Sequence, residues 1–306
     1  MLSPITFSVY FFEVMILMRK FTILTDSACD LPQELADKLG LRVVPLSVTL
    51  GGKNYRSFLD EREISFSDFY SQISAGKPVS TSAANIEQFR VVMESEAILG
   101  NDVLYLGLSS GISSTYSAAQ MAAKELRERY PQTKFYVLDS LCASMGTGLM
   151  LSVAAAERDK GKSIEEVYAL LEEKKWKLCH WFTVADLKQL QRGGRIGSVS
   201  AVFGTLLNIK PVLHVDNDGK LQNVVKARGR NASINEMFRR FCDTAIEPEK
   251  QTVYISHGNC PEDAKKLAEM IRQKYGCESV ISYVGPLIGA HSGEGTLALF
   301  FFGTVR

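Results

Sequence analysis

"VLYLGLSSGISSTYSAAQMAAKELRERY", residues 103–130, changes character at its middle. Val103 to Leu108 is a short apolar run of strand type. From about Ser114 to Tyr130 the apolar residues fall at helical spacing. Between the two, five of the seven residues 109–115 carry hydroxyls: Ser109, Ser110, Ser113, Ser114 and Thr115. A strand that passes through a polar turn into a helix is the repeating piece of an α/β fold.

The same order recurs on either side. "KFTILTDS" (20–27) predicts a strand ending in Asp26 and Ser27. "DLPQELADKLG" (30–40) predicts a helix capped by Asp30 and ended by Gly40. "LRVVPLSVTL" (41–50) reads as the next strand, turned by Gly51 and Gly52, and helical patterns follow at 65–76 and 86–100. "KFYVLDS" (134–140) repeats the Asp-Ser ending, ahead of a small-residue helix at 142–161. This alternation predicts a mostly parallel sheet with helices on its faces. Ligands of such sheets sit at the carboxyl ends of strands, where Asp26-Ser27, Ser109-Ser110 and Asp139-Ser140 would lie.

The second half is organised differently. A helix at 163–178 leads to a strand at 179–184, then helix, glycine turn and helix over 185–207. A hairpin spans 209–227 with its turn at Asn217-Asp218-Gly219. A helix (231–246), a strand (251–257), a helix (261–276) and the segment 279–303 close the chain. The expectation is two domains, an N-terminal α/β domain at 19–165 and a C-terminal α/β domain with a mixed sheet at 166–306. Residues 1–18 form an apolar leader, too short and interrupted for a comfortable membrane span, with Arg19 and Lys20 after it rather than before. We expect translation to begin at Met15 or Met18; a weak membrane-surface anchor is the alternative.

Composition narrows the function. The chain has 306 residues, 46% of them hydrophobic, and 35 basic against 34 acidic side chains, for a net charge of +1. That is ordinary for a soluble globular protein, and nothing favours nucleic acid. The six cysteines are scattered, with neither metal-type nor disulfide-type spacing, which suits buried thiols in a reducing, cytoplasmic setting.

The hydroxyl cluster is more than a cap requires. The first turn of a helix has unpaired N–H groups and a partial positive charge. One hydroxyl suffices to cap it, and a surplus suits an anion. A second cluster, Ser80, Thr81 and Ser82, precedes another helical stretch and on its own reads as an N-cap. Among four histidines, His291 stands out in "GPLIGAHSGEG", where glycines permit close approach of backbone to a ligand. Arg192 and Arg195 in "QRGGRIGS" offer forks for phosphate or carboxylate. No dinucleotide fingerprint, phosphate loop or nucleophile elbow is present.

"TDSACDLP", "STSAAN", "GLSSGISSTYSAA", "DLKQLQRGGRIG", "GTLLNIKPVL" and "GPLIGAHSGEG" stand in the order seen in the DegV family, and residues 20–306 resemble it throughout. That family includes the fatty-acid-binding subunits of bacterial fatty acid kinase. The resemblance implies a two-domain carrier, not itself an enzyme and without a cofactor, that buries one long-chain fatty acid. It implies a carboxylate held by Thr81, Ser110 and His291, with Ser82 and Ser109 as neighbours. Arg195, with Arg192 beside it, would meet an ATP-dependent fatty acid kinase that forms the acyl phosphate. A monomer, with at most transient membrane-surface contact, is expected. Two departures fall beside the head group: Ala83-Ala84 where many relatives have Gln-Pro, and Ser114 where glycine is common. Two rival readings are acyl-ester hydrolysis by Ser110 and His291, and binding of a phosphorylated small molecule at Arg192 and Arg195.

Overall fold

A computed structural model describes residues 20–185, 187–196 and 208–306. The opening strand–turn–helix is present: β6 (Asp102–Gly107) leads through the hydroxyl turn to α4 (Thr115–Arg129). β6 lies in a four-stranded sheet with β1 (Phe21–Asp26), β2 (Leu41–Val44) and β7 (Phe135–Asp139). The order is β2-β1-β6-β7 and every pairing is parallel. Asp26, Gly107 and Asp139 therefore end their strands on one edge.

The expected strand at 41–50 is two strands. Pro45 has no N–H to give to a ladder, and the chain changes sheets there. β3 (Leu46–Leu50) instead pairs antiparallel with β4 (Lys53–Ser57) and β5 (Val79–Ser82). The second hydroxyl cluster thus lies in a strand, not at a cap. Asn85 caps the following helix, α3 (Ile86–Ile98), in a capping box with Gln88. α2 (Phe66–Ser74) begins at a Ser65 cap. Asp30 is not a cap either: α1 (Gln33–Lys38) starts after Pro32, and Asp30 is buried in a left-handed conformation, φ 54°.

The second half forms a six-stranded mixed sheet from β8 (Leu178–Thr183), β9 (Ile209–Val215), β10 (Leu221–Arg228), β11 (Val253–His257), β12 (Ser279–Tyr283) and β13 (Leu297–Phe302). Their order is β10-β9-β8-β13-β11-β12. Its helices are α7 (Lys188–Arg192), α8 (Arg230–Thr244), α9 (Pro261–Tyr275) and α10 (Pro286–Ser292). The second helix expected within 185–207 lies outside the described residues.

Helix α5 (Met145–Asp159) packs against β1 and β6 on one side and β8, β11 and β13 on the other. Its small residues are what permit this. A Cβ at Gly146 would stand 2.7 Å from the Phe300 ring and closer still to Cys142 Sγ; one at Gly148 would stand 2.6 Å from Leu31. One apolar core therefore runs through both sheets, from Ile23, Leu104 and Leu106 to Phe182, Leu213 and Phe300. α6 (Ile164–Lys174) packs against α5, β6 and β7, so it rests on the first sheet, and sheet membership changes at Leu178.

The hairpin β9–β10 docks back on the hydroxyl turn. Ser109 Oγ donates to the Gly219 carbonyl at 2.9 Å, and Gly111 lies flat beneath the tip. A Cβ on Gly111 would stand 2.5 Å from the Asp218 oxygen and 2.7 Å from that of Gly219, both backbone atoms. Gly111→Ala is accordingly expected to cost about 1–3 kcal/mol, as overpacking does. Hydrogen exchange should show the loss as weakened protection at the hairpin tip; unchanged protection and unchanged Tm would refute this docking.

Candidate functional site

Beyond the carboxyl end of the parallel sheet, between the turns that follow β6 and β7 on one side and β8, β11, β13 and α10 on the other, a cavity of about 290 Å³ opens. Leu108, Ile112, Phe182, Leu190, Val284, Leu287 and Ala298 give it apolar walls. Thr115, His180, Ser292 and Thr296 contribute to its polar lining, and two further sets bear on function. Thr81, Ser82, Ser113, Ser114, Arg195 and His291 form one group, and Ser82, Ala83 and Ser114 are exposed, so this group surrounds the mouth. Ser144 and Ser256 lie in the wall at 2% and 0% exposure.

At the mouth, strand and helix supply one side chain each. The alternation of β5 leaves Thr81 half-buried between two exposed serines. His291 lies on α10, which packs against β3, β5, α2 and α7. Thr81 Oγ1 and His291 Nε2 are 2.8 Å apart, a hydrogen bond across 210 positions of sequence. Glycines permit the approach, though toward protein rather than toward a ligand. A Cβ on Gly289 would stand 2.6 Å from the Tyr70 hydroxyl, and His291 Nδ1 lies against Gly193, where no side chain fits between them.

Burial, followed by the nearby charge of Arg195, holds the His291 imidazole down at about 4, so it is neutral at ordinary pH. Its Nδ1 has no hydrogen-bond partner among the described residues. With the proton on Nε2, the ring donates to Thr81 Oγ1 and leaves the Thr81 O–H free to point at a ligand. Arg195 is fastened by Nε to the Ile112 carbonyl at 3.2 Å and by Nη1 to the Gly193 carbonyl at 2.5 Å. It places a positive charge in the cavity wall.

The other expected site residues fare differently. Ser82 lines the cavity. Ser109 and Ser110 are not among its lining residues. The Ser109 hydroxyl is engaged by the hairpin, and Ser110 is exposed with its N–H on the Asp139 carboxylate at 3.2 Å. The turn instead brings its later hydroxyls inward. Ser113 Oγ accepts from the N–H of Thr115, the first residue of α4, at 3.2 Å and lines the cavity. Sequence reading counted the cluster correctly but could not tell which serine the turn directs inward. The signal lay in Gly111 and Ile112, whose tight turn separates an outward Ser110 from an inward Ser113. Arg192 is exposed and lines a different, shallow depression with Lys188 and Glu294. The two arginines therefore do not converge on one anion.

Residues 20–304 match the family described as "Uncharacterised protein, DegV family". The chain belongs to the DegV family. A DegV domain-containing protein of Clostridium perfringens is 41% identical over 290 residues, which is 94% of this chain and 99% of that one. Among solved structures, a fatty-acid-binding DegV family protein from Thermus thermophilus superposes with a TM-score of 0.83 at 32% identity, covering 93% of this chain and 99% of that one. DegV from Bacillus subtilis, a fatty acid binding protein, superposes with a TM-score of 0.80 at 30% identity, covering 92% and 98%. The DegV fold has the parallel and mixed sheets described above.

Beyond the mouth, this DegV chain buries an acid with no cation beside it among the described residues. Asp30 is wholly enclosed, and burial pushes its carboxyl up to about 8, against the hydrogen bond from Ser144 and with help from the charge of Asp26. A carboxyl whose folded pKa is raised binds more protons folded than unfolded. Its effect on stability is thus most favourable below the ordinary carboxylate range and worsens as pH rises toward 8. Asp30→Asn, which tolerates the left-handed backbone, is expected to flatten that decline, gaining on the wild type up to about 1.4 kcal/mol per pH unit between pH 5 and pH 8. Urea unfolding at the two pH values measures it; an equal pH dependence in both proteins would show that Asp30 is ionised throughout.

Among the described residues there is no group of side chains that could hold a metal, and no helix is long and apolar enough to cross a membrane. The six cysteines are all free thiols.

Proposed function

We propose that this protein is a carrier for one long-chain fatty acid, with the tail in the cavity and the carboxylate at its mouth. The carrying observation is the Thr81–His291 hydrogen bond at the mouth of a cavity that also has a large apolar lining. Burying about 14 methylenes at ~0.8 kcal/mol each gives a gross gain near 11 kcal/mol. Lost freedom removes a good part of that. A carboxylate taken from water is a cost unless donors meet it. Thr81, with His291 behind it, and Ser113 are such donors, Ser82 is within the same mouth, and Arg195 adds a compensating charge. Ser113 takes the place that the family resemblance suggested for Ser110.

The open mouth suits presentation of the carboxylate to an ATP-dependent kinase partner that forms the acyl phosphate, with the exposed Arg192 on the surface such a partner would cover. Ester hydrolysis fits less well. Ser110 is tied by its N–H to Asp139 and is not in the cavity wall, and His291 Nδ1 meets glycine rather than an orienting carboxylate. A phosphorylated ligand gripped by both arginines is disfavoured by their separate settings.

Purified protein, denatured and extracted, is expected to release one equivalent of a long-chain fatty acid by mass spectrometry. Lipid-free preparations that also refuse added palmitate and oleate would refute the proposal.

A further inference from the structure

The wall residues Ser144 and Ser256 are out of place for a tunnel that meets only methylenes. A hydroxyl facing an alkyl chain is a desolvated polar group, and alanine would serve better. Instead they form a chain of hydrogen bonds: Ser144 Oγ donates to Asp30 Oδ2 at 2.5 Å, and Ser256 Oγ lies 2.9 Å from Ser144 Oγ. The fold strains its backbone to build this. Ser144, at φ 54° and ψ −144°, and Asp30, at φ 54°, both sit where non-glycine residues rarely do. Ser144 precedes α5 yet does not cap it with its side chain. Asp30 Oδ1, against Gly285, has no hydrogen bond of normal geometry. Strain and an imperfectly paired acid persist where surrounding structure holds them for a purpose.

Proton accounting shows what the chain offers. Each serine has one proton and two lone pairs. With Asp30 ionised, Ser144 donates to Asp30 and Ser256 donates to Ser144, which leaves Ser256 as an acceptor toward the cavity. With Asp30 protonated and donating to Ser144, the chain reverses, and the Ser256 O–H is free to donate into the cavity. The raised Asp30 carboxyl makes both arrangements available near neutral pH. Either end complements an alcohol, which donates and accepts. An unsubstituted chain complements neither.

We propose that Ser256 and Ser144, backed by Asp30, form a second polar subsite deep in the cavity that takes a hydroxyl carried on the acyl chain, so that mid-chain hydroxy fatty acids are ligands of this protein. This rests on the fatty-acid reading of the cavity. The test is competition binding on the full chain with octadecanoic acid and with mid-chain monohydroxyoctadecanoic acids, one positional isomer at a time. At least one isomer is expected to bind as tightly as octadecanoic acid or more tightly. Ser256→Ala should weaken that isomer roughly tenfold while octadecanoic acid stays within about twofold. If the alanine variant does not fold, Ser256→Cys, nearly isosteric but a weak donor, reads the same difference. The proposal is overturned if every isomer binds the wild type much more weakly than octadecanoic acid, or if the Ser256 variants weaken both ligand classes alike. Failure of octadecanoic acid itself to bind would overturn the underlying reading instead, and the two failures are distinguishable.

Discussion

Thr81→Val is expected to weaken long-chain fatty acid binding by roughly ten- to a hundredfold, since a hydrogen bond to a charged group contributes about 1.5–3 kcal/mol. The substitution suits the site in every other respect. Valine has the same branched shape, favours a strand, and sits on the half-buried face of β5 opposite Val48. Folding stability should therefore change little, while the ligand carboxylate loses its donor and His291 Nε2 loses its partner. Ser113→Ala should weaken binding in the same direction. Ser110→Ala should leave affinity within about twofold, because an exposed hydroxyl outside the cavity has no bond to the ligand to lose. Isothermal titration of palmitate into the three variants reads this pattern. Loss in Ser110→Ala with none in Ser113→Ala would reverse the assignment of the turn.

Gly146→Ala is expected to destabilise the protein by about 2 kcal/mol or more, at the upper part of the overpacking range. The new methyl would meet Cys142 Sγ and the Phe300 ring at once. Neither can withdraw easily. Phe300 is wholly buried between β8 and β11 in its sheet, and Cys142 lies in the turn that aims Ser144. Removing the sulfur should make room, so Cys142→Ala with Gly146→Ala is expected to recover part of the loss, a coupling visible in a double-mutant cycle. Urea unfolding measures all three. A Gly146→Ala variant as stable as the wild type would mean that α5 is not clamped between the two sheets as described.

These two results bear on what the amino-acid order reveals. Alternation of apolar runs and helical patterns is local, so the parallel sheet, the mixed second half and the hairpin at Gly219 could be read directly. What escaped were features decided by distant partners. Pro45 splits one apparent strand between two sheets, and nothing local says which sheet takes the second piece. Ser80, Thr81 and Ser82 resemble a cap until β3 is seen to pair with them. Asp30 looks like an ordinary helix cap, yet Ser144, 114 positions away, claims its carboxylate. The surplus of the hydroxyl turn was legible, and the turn does reach the cavity wall through Ser113, Ser114 and Thr115. The division of labour within it was not, because Ser109 answers to a hairpin 110 positions later. His291 and Thr81 were nameable by family resemblance, while Ser144 and Ser256 carried no signal apart from their place in the cavity.

The most direct measurement is the structure of the protein crystallised with palmitate. The carboxylate is expected within hydrogen-bond distance of Thr81 Oγ1 and Ser113 Oγ, with the tail running inward between Ala143 and Ala298. A carboxylate lodged at Ser110, or a tail lying anywhere but in this cavity, would contradict it.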